Sequence, residues 1–104
     1  MKPNRPDAIS ALAVALAVEH DAARGCFHDS VDGQRCVVDY VLDGRVMRLT
    51  HTGVPPSLEG RGIAAALVRE ALGHARRHGL KVDPQCSYVS GYMQRNPDTH
   101  DLLA

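Results

Sequence analysis

Neither sign of charge predominates in this sequence. Twelve Lys and Arg face twelve Asp and Glu, giving a formal net charge of +0 and a pI near 7.0. Tight duplex binding needs a clustered excess of Lys and Arg to neutralise phosphate, so nucleic acid is a poor expectation. Also missing is any apolar run near the ~20 residues that cross a bilayer, which argues against a membrane span. Cysteine is scarce: Cys26, Cys36 and Cys86 are odd in number, and their spacings fit neither a zinc ribbon nor a redox CxxC pair. Free thiols in a reducing, cytoplasmic compartment are expected, with no metal site. Repeats, linkers and low-complexity tracts are absent.

What is present suits one folded unit. The chain has 104 residues, 44% hydrophobic and 23% charged, which excludes wholesale disorder. A chain of this length buries roughly 65% of its unfolded surface, enough for one core. Residues 1–17 read as an N-terminal extension, a short helix with Asp7 near its start or a frayed end. Lys2, Arg5 and the alanine-rich stretch after them loosely imitate a secretion signal, but Pro3, Pro6 and Asp7 interrupt it.

Residues 18–104 read as an α/β domain. A first strand from Val18 to His28 ends at the turn formers Asp29-Ser30-Val31-Asp32-Gly33. Gln34 to Leu42 alternates as a second strand, with Cys36, Val38, Tyr40 and Leu42 on one face. Asp43-Gly44 predicts a type I′ hairpin into a third strand, Arg45 to Thr52, with Met47, Leu49 and His51 on one side and Thr50 and Thr52 on the other. After Gly53-Val54-Pro55-Pro56 the period becomes helical: Ile63, Ala64, Leu67, Val68, Ala71, Leu72 and Ala75 share a face, and Gly79 supplies the stop. Leu80 to Asp83 is a short strand parallel to the third, closing a right-handed βαβ crossover. A last helix, Ser87 to Arg95, precedes Asn96-Pro97.

The chemistry gathers where the central helix opens. In Glu59-Gly60-Arg61-Gly62-Ile63-Ala64 two glycines let a ligand approach the main chain, and the first-turn N–H groups lack helical acceptors. With the helix dipole this predicts an anion site fit for a diphosphate, the alternative being a simple loop-to-helix turn. GxGxxG/A is satisfied on paper, but residues 53–59 separate the glycines from the strand end, against a dinucleotide fold.

From Leu49 through Leu72 the residues resemble the acetyl-CoA motif of the GNAT acyltransferase superfamily. With Cys86-Ser87-Tyr88-Val89-Ser90 and Arg95-Asn96-Pro97, the chain resembles a group of very small, single-domain GNAT-like proteins. The resemblance implies an antiparallel meander, a bulged strand ending near Val54, and a parallel pair splayed apart to admit pantetheine. Acetyl-CoA is the implied co-substrate and an unidentified amine the acceptor. Two departures stand out. Glu59 occupies the first loop position, where the superfamily has Arg or Gln, and would repel phosphate by about 1 kcal/mol. The connection between the first two strands is about six residues, where larger members insert helices of the acceptor site.

On this reading Gly60, Arg61, Gly62, Ile63 and Ala64 meet the diphosphate, and Thr52, Gly53 and Val54 run beside pantetheine. Cys86, just ahead of the last helix, is placed to form a thiolate and carry an acyl group, the plainer alternative being an inert buried thiol. Direct attack by an amine needs a base, for which His51 is the candidate, or else His51 is a core-edge histidine. Tyr88 or Tyr92 could protonate departing CoA. Arg95 could reach a CoA phosphate or remain a surface arginine. His74 and His78, four apart, read as structural or solvated, with positive charge complementing the helix dipole; Cys26 and Cys36 read as packing. A CoA-binding sensor or interaction module without turnover is the competing function.

Overall fold

The computed structural model describes residues 18–104, so the expectation for residues 1–17 lies outside the described residues. Five strands form one sheet in the order β1 (Glu19–Asp21), β2 (Cys26–Val31), β3 (Gln34–Asp43), β4 (Val46–Gly53) and β5 (Lys81–Pro84). Neighbours are antiparallel up to β4, and β4 pairs with β5 in parallel. A 3₁₀ turn (Pro56–Leu58) leads to helix α1 (Ile63–Arg77), and α2 (Ser87–Arg95) follows β5. The mixed α/β fold and the βαβ crossover agree with the sequence. The expected first strand, however, is two: Gly25 N–H donates to Asp21 O at 2.9 Å and turns β1 into β2, so four strands precede the crossover.

One face of the sheet builds the core. Phe27, Cys36, Val38, Tyr40, Met47, Leu49 and Val82 are buried there against Leu67, Val68, Ala71 and Leu72 of α1 and Val89 and Met93 of α2. The i, i+4 repeat of α1 therefore points at the period-2 face of the sheet, the complementarity that holds the two layers together. Leu42, expected with that face, is 54% exposed at the strand end. Helix α1 ends as Gly79 forecasts. Leu80 N–H bonds Ala75 O at 2.8 Å and Gly79 N–H reaches Arg76 O at 3.4 Å, a Schellman cap.

Two irregularities position the site. In the β3–β4 pairing Asp39 faces His51 but Tyr40 faces Leu49, so Thr50 is unpaired and the strand bulges. Alternation resets there: Thr52 sits opposite core-facing Val38, whereas His51, expected beside Met47 and Leu49, turns to the face that no described helix covers and is exposed. The β4–β5 ladder ends at Leu49–Pro84, with one further bond from Cys86 N–H to Leu49 O at 2.9 Å. Pro84 has no N–H to give, and the chain then enters α2 while β4 runs on to Gly53. The two strands part at that point.

Candidate functional site

Beside this gap lies the start of α1. Gly60 and Gly62 have φ of 87° and 80°, which an L side chain resists, and a Cβ on either would meet nothing within 4 Å. The loop is thus both shaped by glycine and open above it. Gly62 is the N-cap, so no side chain caps α1, and its first turn holds no acidic residue. The first helical bond runs from Ala66 N–H to Gly62 O at 3.0 Å, leaving the N–H groups of Ile63, Ala64 and Ala65 without helical acceptors. They border a cavity of about 460 Å³. Thr52 and Val54 close it on the β4 side, Leu58, Glu59 and the two glycines form the loop wall, and Tyr88 of α2 stands across from Ile63, Ala64 and Ala65. Such a cavity, mostly apolar but ending in a row of unsatisfied donors, fits a ligand with an apolar arm and an anionic group.

Cys86 is the N-cap of α2 and half-buried. Its sulfur lies 3.4 Å from Thr52 Oγ1, so the residue that the bulge turned inward joins the cavity to the thiol. Burial pushes the Cys86 pKa up, but the Thr52 hydroxyl and the N–H groups of Val89, Tyr88 and Thr52 outweigh it, and the net shift is downward. The other two cysteines are buried. Burial, then the nearby Asp29 carboxylate, pushes Cys36 up, so it behaves as an inert packing thiol.

Of the residues singled out from sequence, the cavity gathers Thr52, Val54, Gly60, Gly62, Ile63, Ala64 and Tyr88, with Cys86 behind Thr52. It does not gather five others, of which Gly53 sits at the end of β4 between two lining residues without lining the cavity itself. His51 lies on the opposite face, its ring over Gly53, where a Cβ would come within 3.1 Å of Nε2. Arg61 does not line the cavity; Nη1 pairs with Asp32 Oδ2 at 3.0 Å. Arg95 is exposed in the last turn of α2, its Nη1 folded back over Gly91. Tyr92 is buried in the core. Leu58 and Ala65, which also line the cavity, went unmarked in the sequence because a small or apolar side chain carries no chemical signal.

His74 joins an aromatic group instead of standing as a helix-end cation. Its ring meets His20 at 4.5 Å and Phe27 at 5.5 Å edge-on, and His78 at 4.2 Å. Burial lowers its pKa, with His20, His78 and Arg77 acting the same way. Among the described residues no group of three or more His, Cys, Asp and Glu side chains is arranged to hold a metal ion, and no helix is long and apolar enough to cross a membrane.

A bulged strand parting from its parallel neighbour, beside an uncapped helix led by glycines, defines an acetyltransferase fold of the GCN5-related type. The chain belongs to the GCN5-related N-acetyltransferase family, which it matches over residues 26–102. It is similar to Protein NATD1: the mouse protein is 38% identical over 85 residues, spanning 79% of this chain and 77% of that one. The Xenopus tropicalis protein is 35% identical over 86 residues, 80% of this chain and 79% of that one. In three dimensions the fold is similar to the solution structure of a GCN5-like protein from Staphylococcus aureus. The TM-score is 0.70 at 22% identity, covering 86% of this chain and 89% of that one.

Proposed function

We propose that this chain is a cytoplasmic, acetyl-CoA-dependent acyltransferase that acetylates an amine through Cys86. One observation carries the proposal: the uncapped start of α1 and Thr52, whose hydroxyl lies 3.4 Å from the Cys86 sulfur, line the same cavity. The donors of Ile63, Ala64 and the glycine loop suit a diphosphate. Thr52, Gly53 and Val54 suit an extended pantetheine arm, and the backbone at Gly53 and Val54, where β4 ends beyond the bulge at Thr50, offers N–H groups to a thioester carbonyl.

The Cys86 thiolate attacks the thioester carbonyl, a new C–S bond forms, and the bond to CoA sulfur breaks. CoA leaves as a thiolate and takes a proton from Tyr88, the tyrosine that borders the cavity. The exchange of one thioester for another is nearly balanced, so it can run in either direction until an amine intervenes. The amine then attacks acyl-Cys86, releases the thiolate and gives up a proton. The Tyr88 phenolate left by the first step takes that proton, which closes the cycle; His51, exposed on the opposite face of the sheet, is too far from acyl-Cys86 to serve as the base and receives no part. Arg95, directed over Gly91, receives no part in this reading.

The second reading is a CoA-binding sensor or interaction module, favoured by the link between β1 and β2. Only residues 22–25 connect them, and that link holds no helix to wall an acceptor site. Incubation with acetyl-CoA followed by intact mass separates the two. A single acetyl adduct, absent from Cys86→Ser, with CoA released when amines are added, is the result expected of the enzyme. CoA binding with neither adduct nor release in any amine mixture selects the module.

A further inference from the structure

Arg61 stands between the two glycines of the loop, yet its guanidinium is turned outward to the β2–β3 turn, 29 residues earlier in the chain. Asp32 and Gly33 both have positive φ, 51° and 75°, the backbone of a type I′ hairpin. The turn is therefore fixed by its own geometry, which sets the point from which the Asp32 side chain reaches Arg61. A second bond ties the same two regions, from Gln34 Nε2 to Ser57 Oγ at 2.9 Å. Glu59, meanwhile, is an acidic residue of the same cavity wall. An arriving diphosphate thus meets an acidic wall whose neighbouring cation is engaged elsewhere.

We propose that Asp32 sets the donor affinity of this site: it holds Arg61 away from the cavity, and a ligand bearing a diphosphate binds by drawing Arg61 off Asp32. The inference rests on the donor-binding reading above. Both side chains of the pair are more than half exposed, 52% for Arg61 and 61% for Asp32, so water screens the contact and little is lost on breaking it. A diphosphate carries more charge than one carboxylate and accepts a guanidinium in two-pronged fashion, so the exchange favours the ligand. Asp32 thereby weakens binding without touching the donor, because part of the Arg61 attraction is spent on separation from its resting partner.

The test is a double-mutant cycle read by calorimetric titration with CoA, using the full chain, Asp32→Asn, Arg61→Gln and the double variant. Asparagine is at least as well suited as aspartate to a positive φ, so Asp32→Asn removes the charge and keeps the turn. Asp32→Asn is expected to bind CoA about two- to fivefold more tightly, the span of one exposed ion pair. In the Arg61→Gln background the same change is expected to have no effect. An equal gain in both backgrounds would mean that overall charge alone is at work and overturns the proposal. So does unchanged or weaker binding by Asp32→Asn while the unmodified chain binds CoA. If neither the unmodified chain nor any variant binds CoA, the donor-binding reading falls, and this inference with it.

Discussion

At Cys86 burial raises the thiol pKa, while the Thr52 hydroxyl and the N–H groups that open α2 lower it by more. The outcome depends on which side chain β4 presents at the gap, and the unpaired Thr50 makes it Thr52 and not His51. Thr52→Val keeps the shape and removes the hydroxyl. The Cys86 pKa is expected to rise, and alkylation by iodoacetamide at pH 7 to slow about two- to tenfold, the worth of one net hydrogen bond. Peptide mapping at a series of pH values measures both quantities. The same experiment ranks the cysteines: the first equivalent should fall on Cys86, because Cys36 is fully buried and its thiol pKa is raised. Labelling of Cys36 ahead of Cys86 would remove the basis for assigning the chemistry to the latter.

Among the elements, α1 bears the most, since its start faces the cavity and its end closes the crossover. Arg45 of the β3–β4 turn donates to the carbonyls of His78 and Gly79 at 2.9 and 3.1 Å, binding that end to the sheet. Gly79→Ala forces a side chain onto a φ of 67° and brings its Cβ within 2.8 Å of Arg45 Nη2. A loss of about 1–2 kcal/mol in urea unfolding is expected, with an unchanged m-value. This end of α1 was legible in the sequence because glycine there has a local cause. So was α1 itself, written in its period, and so was a hairpin near Asp43-Gly44; its turn residues, however, are Gly44 and Arg45, and only Gly44 has a positive φ, 60°, so it is not the type I′ turn expected over Asp43-Gly44. The division of β1 from β2 was not. Tyr40 N–H bonds Gly25 O at 2.8 Å, a contact between residues fifteen apart that no local pattern announces. The bulge at Thr50 escaped plain alternation for the same reason, being a mismatch between two strands, and it transposed the facing of His51 and Thr52. At the site the glycine loop and Cys86 were therefore readable, whereas the Asp32–Arg61 pairing required the fold.

In the molecule as a whole, β1 is the three-residue outer strand, and rings hold it against α1 as well as the backbone bonds to β2. His20 stacks on Phe27 at 4.2 Å, meets His74 edge-on, and shares a 2.5 Å hydrogen bond with the Tyr40 hydroxyl. Desolvation lowers the His20 pKa, with Asp21 opposing and His78 assisting, and desolvation leads likewise at His74. Both folded values lie below the ordinary 6.5, so the unfolded chain binds more protons as pH falls through that value. Their contribution to stability is complete above pH 6.5 and declines below it, until the lowered folded values are passed. Full linkage for one proton is ~1.4 kcal/mol per pH unit. His20 remains exposed and screened, so the expected loss from both between pH 7.5 and 5.5 is only about 1 kcal/mol. A separate acid transition comes from Asp101, whose pKa its bond to Arg76 depresses below 3.8, so that its share is lost only as pH falls through that lower range. Urea unfolding across pH 7.5 to 5.5 checks the histidine prediction, and its extension below pH 3.8 the Asp101 one. His74→Phe, which keeps the ring contacts and cannot take a proton, should make the decline across the upper range shallower, leaving the His20 share. An equally steep decline in that variant would show that the ring cluster is not what makes the fold sensitive to mild acid.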